Sequence, residues 1–134
     1  MKVYIAARTK RADDACYLAD KLEQEKHSVT FKWFDEVITN RIQNKGAHRD
    51  YYQFVRKALL SASNAEIFIL LSDSGMRGTY VEMGAFLLSQ LQNPKSNPKL
   101  IIVGGEKHSH IFESVSFTYH VDSVDQVIDL VEIN

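Results

Sequence analysis

The chain has 134 residues, 45% of them hydrophobic and 25% charged, with a formal net charge of -1. One domain of that length buries a full core, and a near-neutral balance gives no reason to expect a polyanion such as DNA or RNA as partner. The single cysteine, Cys16, excludes an internal disulfide framework and fits a reducing compartment.

Lys2 to Ala7 is a short apolar run and reads as a buried first strand. It is too short for the apolar region of a signal peptide and is followed by Arg8, Lys10 and Arg11. No apolar run approaches the roughly 18 residues of a membrane span, so the expected location is the cytoplasm, away from membranes. Arg8-Thr9-Lys10-Arg11 places three cations in four residues where a strand gives way to a helix. That place suits a phosphate or carboxylate, or is simply a solvated basic turn. Asp13 to Lys26 is helical, with Ala15, Leu18, Ala19 and Leu22 on one stripe and Cys16 beside it as a small packing residue.

Ser28 to Trp33 alternates, with Val29, Phe31 and Trp33 on one side, and predicts a second strand. Asp35 and Glu36 would then lie at its carboxyl end, as ligand contacts or as loop charges. Thr39 to Lys45 is polar without a clear period and reads as a loop over the site. Ala47 to Ser63 is the next helix, with Tyr51, Phe54, Val55, Ala58, Leu59 and Ala62 at helical spacing and Asp50 near its start.

Ile67 to Leu71 is an apolar third strand, entered by Glu66 at an exposed edge. A turn cluster follows, Ser72 to Gly78, and an amphipathic helix opens at Thr79 and runs to Leu91. The loop lacks the Lys-Ser/Thr of a Walker loop and the spacing of a dinucleotide fingerprint, but Gly75 and Gly78 let backbone N–H groups approach a ligand. Thr79-Tyr80-Val81-Glu82 has the spacing of a capping box, which by itself would turn Glu82 back onto the helix start. The same carboxylate also opens onto the ligand end of the sheet, where a helix N-terminus keeps it ionised as a nucleophile requires.

Gln92 to Lys99 holds both prolines and is the clearest linker. Leu100 to Val103 is a central strand ended by Gly104-Gly105. His108 and His110 follow, but no third ligand stands at a recognisable spacing, so no metal is expected. Thr118 to Val121 is a short last strand, and Asp122 or Ser123 caps a final helix ending near Ile133. Strands alternating with helices predict an α/β fold: a five-stranded parallel sheet flanked by helices, a Rossmann/flavodoxin-like three-layer sandwich spanning residues 1–134.

The run Ala65-Glu66-Ile67-Phe68-Ile69-Leu70-Leu71, followed by Gly78-Thr79-Tyr80-Val81-Glu82-Met83-Gly84-Ala85, resembles the core of the nucleoside 2-deoxyribosyltransferase-like family, which includes 5'-monophosphate N-glycosidases. Val3-Tyr4-Ile5-Ala6 is similar to that family's first strand, and Trp33-Phe34-Asp35-Glu36 to the loop after its second. The resemblance implies cleavage or transfer at the N-glycosidic bond of a nucleoside or nucleotide, without a cofactor. It casts Glu82 as the nucleophile at the anomeric carbon and Tyr4 as its positioning partner or a sugar contact, with Asp50 or Asp73 orienting the base or helping to protonate it as it leaves. Ala6, Arg8, Trp33, Asp35, Ser74, Gly75, Met76, Gly78 and Thr79 become the substrate-binding candidates. Two departures stand out. Asp50 lies about two turns upstream of the family's position, and Met76 stands where the phosphohydrolase branch has a phosphate-binding serine, with Ser74, Arg77 or the basic turn as substitutes. The transferases of the family complete their sites from a neighbouring subunit, which implies a homo-oligomer by analogy. A non-catalytic nucleotide-binding module on the same fold is the competing expectation.

Overall fold

Five segments pair in parallel: β1 (Lys2–Ala6), β2 (Ser28–Val29), β3 (Ile67–Leu71), β4 (Lys99–Val103) and β5 (Thr118–Val121), in the order β2-β1-β3-β4-β5. The computed structural model describes residues 1–43, 51–105 and 111–133. Five helices cover the sheet: α1 (Ala12–Gln24), α2 (Trp33–Ile42), α3 (Tyr51–Asn64), α4 (Gly78–Gln92) and α5 (Asp125–Glu132). The expected α/β three-layer arrangement is therefore present, and its strand order reverses between β1 and β3. In such sheets that switch point opens a crevice at the carboxyl ends of the two strands.

The period of two along the strands sorts the core into two halves. Val3, Ile5, Ile67, Ile69 and Leu71 pack with α1, α2 and α5. Tyr4, Ala6, Phe68 and Leu70 pack with α3 and α4. The central strands β3 and β4 are buried at every position, which is why they read as apolar runs, unbroken in β3 and broken in β4 only by Lys99 at its start. The register sets Tyr4 beside Phe68, and their rings stack at 5.4 Å. Tyr4 thus lies on the face that carries α4.

Several sequence expectations are corrected here. The second strand is only two residues long, not Ser28 to Trp33. Trp33 and Phe34 are consecutive and both buried in the same half of the core, which a strand forbids and a helix start allows. The Trp33 indole N–H donates to the Ile5 carbonyl at 2.8 Å and fixes the start of α2. The loop expected from Thr39 is, as far as Ile42, the last turn of α2, which Arg41 ties to Asp13 at 2.9 Å. Residues 44–50, including Asp50 and the start of the helix expected from Ala47, lie outside the described residues, as do His108 and His110. Glu66 is half-buried immediately before a central strand, with its backbone bonded to Lys2 and Lys99.

No side chain caps α5 from Asp122 or Ser123; instead Gln126 reaches back, and its carbonyl oxygen accepts from both of their backbone N–H groups, at 2.8 and 3.1 Å. Among the described residues no helix is long and apolar enough to cross a membrane.

Candidate active site

The basic turn after β1 is mostly a clamp. It forms a 3₁₀ turn over Thr9–Arg11 that leads into α1. Lys10 pairs with Asp73 at 3.0 Å, and Arg11 donates to the Ser72 carbonyl at 3.0 Å. Arg8 donates to the Ser74 carbonyl at 2.8 Å. Gly75 takes φ +76, and the Arg8 guanidinium lies 3.6 Å from where its Cβ would stand. That backbone conformation is one most side chains resist, so glycine is required for the turn itself. The clamp holds the β3–α4 loop against the end of β1 and leaves a cavity between them.

The cavity has a volume of about 330 Å³, at the lower end of the roughly 300–1,000 Å³ of small-ligand sites. Arg8, Ala7 and Thr9 form its β1 side, and Gly75, Arg77, Gly78 and Thr79 form its loop side. Trp33 and Phe54 bring α2 and α3 to its walls, and Glu82 enters from the first turns of α4. Arg77 has no carboxylate partner among the described residues, so two guanidiniums face a cavity with one acid.

Glu82 does not close a capping box. Helix α4 starts from Arg77 with no side-chain cap, and the Glu82 carboxylate instead accepts a hydrogen bond from the Tyr4 hydroxyl of β1. Thr79, freed from capping, is 6% exposed, and its hydroxyl has no hydrogen-bond partner among the described residues. Burial raises the Glu82 carboxyl above its ordinary value of 4.5, and the Tyr4 bond opposes that rise. The expectation that a helix terminus alone keeps Glu82 ionised therefore needs revising: burial works against the charge, and the phenol donor is what supports it. Burial, and then the charge and hydrogen bond of Glu82, push the Tyr4 phenol far above its usual range. Tyr4 stays protonated and donates to the Glu82 carboxylate.

No protein-family model and no curated protein matches the chain. Solved structures do. The chain superimposes on Clostridium botulinum CMP N-glycosidase, BcmB, with a TM-score of 0.63 over 97% of this chain and 99% of that one, at 15% identity. The two share a fold. The shared fold covers the whole frame that carries Tyr4, the loop and Glu82.

Of the residues singled out from sequence, Glu82, Tyr4, Arg8, Trp33, Gly75, Gly78 and Thr79 come together here. Others do not reach the cavity wall. Asp35 is exposed in the first turn of α2. Met76 packs in the α3/α4 half of the core, and Ala6 is buried in the same half. Ser74 is exposed and contributes only its backbone to the clamp. The Lys10 ammonium holds the Asp73 carboxyl below its ordinary value, with the Ser74 N–H adding to the effect, so it is a poor proton donor. Phe54 was legible only as part of an apolar helical stripe. Nothing in its own spacing marks it as a wall of the site, because that depends on where α3 meets α4.

Proposed function

We propose that the protein cleaves or exchanges the N-glycosidic bond of a nucleoside 5'-monophosphate or a closely related nucleoside. The observation that carries this reading is the Tyr4–Glu82 pair, set at the switch point of the sheet and facing a cavity walled by Arg8 and Arg77. Tyr4 occupies one carboxylate oxygen and leaves the other for the sugar. That oxygen attacks C1', the C1'–N bond breaks, and its electron pair leaves with the base nitrogen, which takes up a proton. Water then attacks C1' and frees Glu82 with the hydrolysed sugar; a second base in place of water gives transfer.

The two guanidiniums and the glycine backbone match a 5'-phosphate, an anion held at a helix start by charge and by N–H groups together. They stand in for the serine that Met76 replaces. For the leaving base, the lowered pKa of Asp73 leaves Asp50 as the acid implied by the family resemblance.

The test is a panel of ribo- and deoxyribonucleosides and their 5'-monophosphates, with free base followed by chromatography. Release is expected from the monophosphates and is expected to vanish in Glu82→Ala. A second reading, a nucleotide-binding module, draws on the raised pKa of Glu82 and on the absence of a second carboxylate from the cavity wall among the described residues. Tight nucleotide binding with no base released would favour it, and a second free base added to the assay separates hydrolase from transferase.

A further inference from the structure

A second cavity of about 290 Å³ lies between α3 and α4 on the other side of Glu82. Phe54, Val55, Ala58, Leu59 and Val81 line it, and it shares Phe54, Gly78 and Glu82 with the cationic cavity. Apart from Glu82 no charged side chain among the described residues borders it. The two spaces thus differ in chemistry and meet at one carboxylate. A nucleotide has the same division: an anionic phosphate arm and a flat base with apolar faces, joined at the sugar carbon that Glu82 would attack. Each cavity alone is at the small end of ligand sites, while together they fall well inside that range.

We infer that the apolar groove between α3 and α4 is the subsite of the leaving nucleobase, with the Phe54 ring as its aromatic wall. This rests on the glycosidic reading above for its chemistry, though not for the binding it predicts. Phosphate in the groove would lose its hydration without gaining a donor, whereas a base gains a ring face and aliphatic contact. The groove reads a base by shape and not by the pattern of its donors and acceptors. Bases of similar size should therefore be used with kcat/KM values within about tenfold of one another, since apolar pockets discriminate weakly between isosteres.

Methyl NMR on the wild-type chain tests the inference directly, with adenine, cytosine and ribose 5-phosphate as separate probes. The free bases are expected to shift the Val55, Leu59 and Val81 methyls, and ribose 5-phosphate to shift the amides of Gly75 to Thr79. Val81 and Val55 are 62% and 51% exposed, so Val81→Trp and Val55→Trp fill the groove without disturbing the core. Either is expected to abolish the base-induced shifts and leave those of ribose 5-phosphate. In turnover, Val81→Trp should raise KM about tenfold, more for purine than for pyrimidine nucleotides, with kcat less affected.

Base shifts confined to Trp33 and the β1 end would overturn the inference and leave the glycosidase reading standing. Binding in the groove with no base ever released would do the reverse. Base that binds nowhere overturns the groove, and so does concentration-dependent shielding of the same methyls without base, which would make this face a contact between two copies.

Discussion

A buried ammonium and a half-buried carboxylate sit at opposite ends of the same sheet, and they are treated in opposite ways. Lys99 opens β4 at the amino end and is 1% exposed. Its ammonium donates to the carbonyls of Leu130 at 2.8 Å and Val131 at 3.4 Å, and to that of Ile133, so it closes the C-terminus of α5. Glu82 stands near the carboxyl ends of β1 and β3 and, among the described residues, has one side-chain hydrogen bond, from Tyr4, beside the cavity. A buried charge surrounded by partners serves the fold; one held by a single donor beside a cavity is available to a ligand. Burial lowers the Lys99 ammonium and raises the Glu82 carboxyl, so both are driven toward neutrality, but only Lys99 has its donors consumed by backbone.

The largest effect that would sharpen this contrast is on chemistry. Glu82→Ala is expected to reduce base release about 10³-fold or more while leaving the fold intact, because it removes the atom that bonds C1'. Survival of activity in this variant, measured by chromatography, would break the comparison at once. Tyr4→Phe comes next. Losing a hydrogen bond to a charged group costs about 1.5–3 kcal/mol, or roughly 10- to 160-fold in kcat/KM. Its pH profile carries more information than its rate. The Tyr4 bond lowers the Glu82 pKa, so without it the carboxylate needs a higher pH to ionise. The acid limb of kcat/KM should move to higher pH in Tyr4→Phe, and an unmoved limb would mean that Tyr4 does not act through Glu82.

At the other end of the sheet the expected effect is on stability alone. Lys99→Met keeps the stem but leaves the α5 carbonyls without their donor, at a cost of about 2–3 kcal/mol. For a domain of this size that lowers Tm by about 5–12 °C, with kcat unchanged in the folded fraction. A thermal melt beside a steady-state assay checks both halves.

These two ends were not equally legible from residues alone. The central strands announced themselves because burial on both faces fills Ile67–Leu71 and 100–103 with apolar residues alone. Glu82, Gly75 and Gly78 were legible because a strand, a glycine turn and a helix start place them by local geometry. Lys99 was not, since it closes the linker in sequence and its partners lie more than thirty residues away. Helix α2 was missed because Val29, Phe31 and Trp33 alternate as a strand would, yet Phe31 turns to pack on Phe54 at 5.5 Å and Trp33 bonds to β1. The capping-box spacing of Thr79 and Glu82 was real but lost to the Tyr4 hydroxyl, a donor 78 positions away in the chain.

The smallest effect is also the most direct measure of what the site costs the fold. Burial raises the Glu82 pKa in the folded chain above the ordinary 4.5 of the unfolded one. The folded state therefore holds its proton more tightly, and this residue's contribution to stability is fully present below pH 4.5 and lost as pH rises through the folded pKa. Glu82→Gln keeps a carbonyl that Tyr4 can donate to and never ionises. It is expected to be more stable than wild type at pH 7 by about 1 kcal/mol, with the gap closing as pH falls toward 4.5. Parallel urea titrations of the two chains across that interval measure the gap. A constant gap would show that the substitution acts by packing, and a variant less stable at pH 7 would show that the carboxylate is as well satisfied as Lys99, which would remove the distinction between the two ends of the sheet.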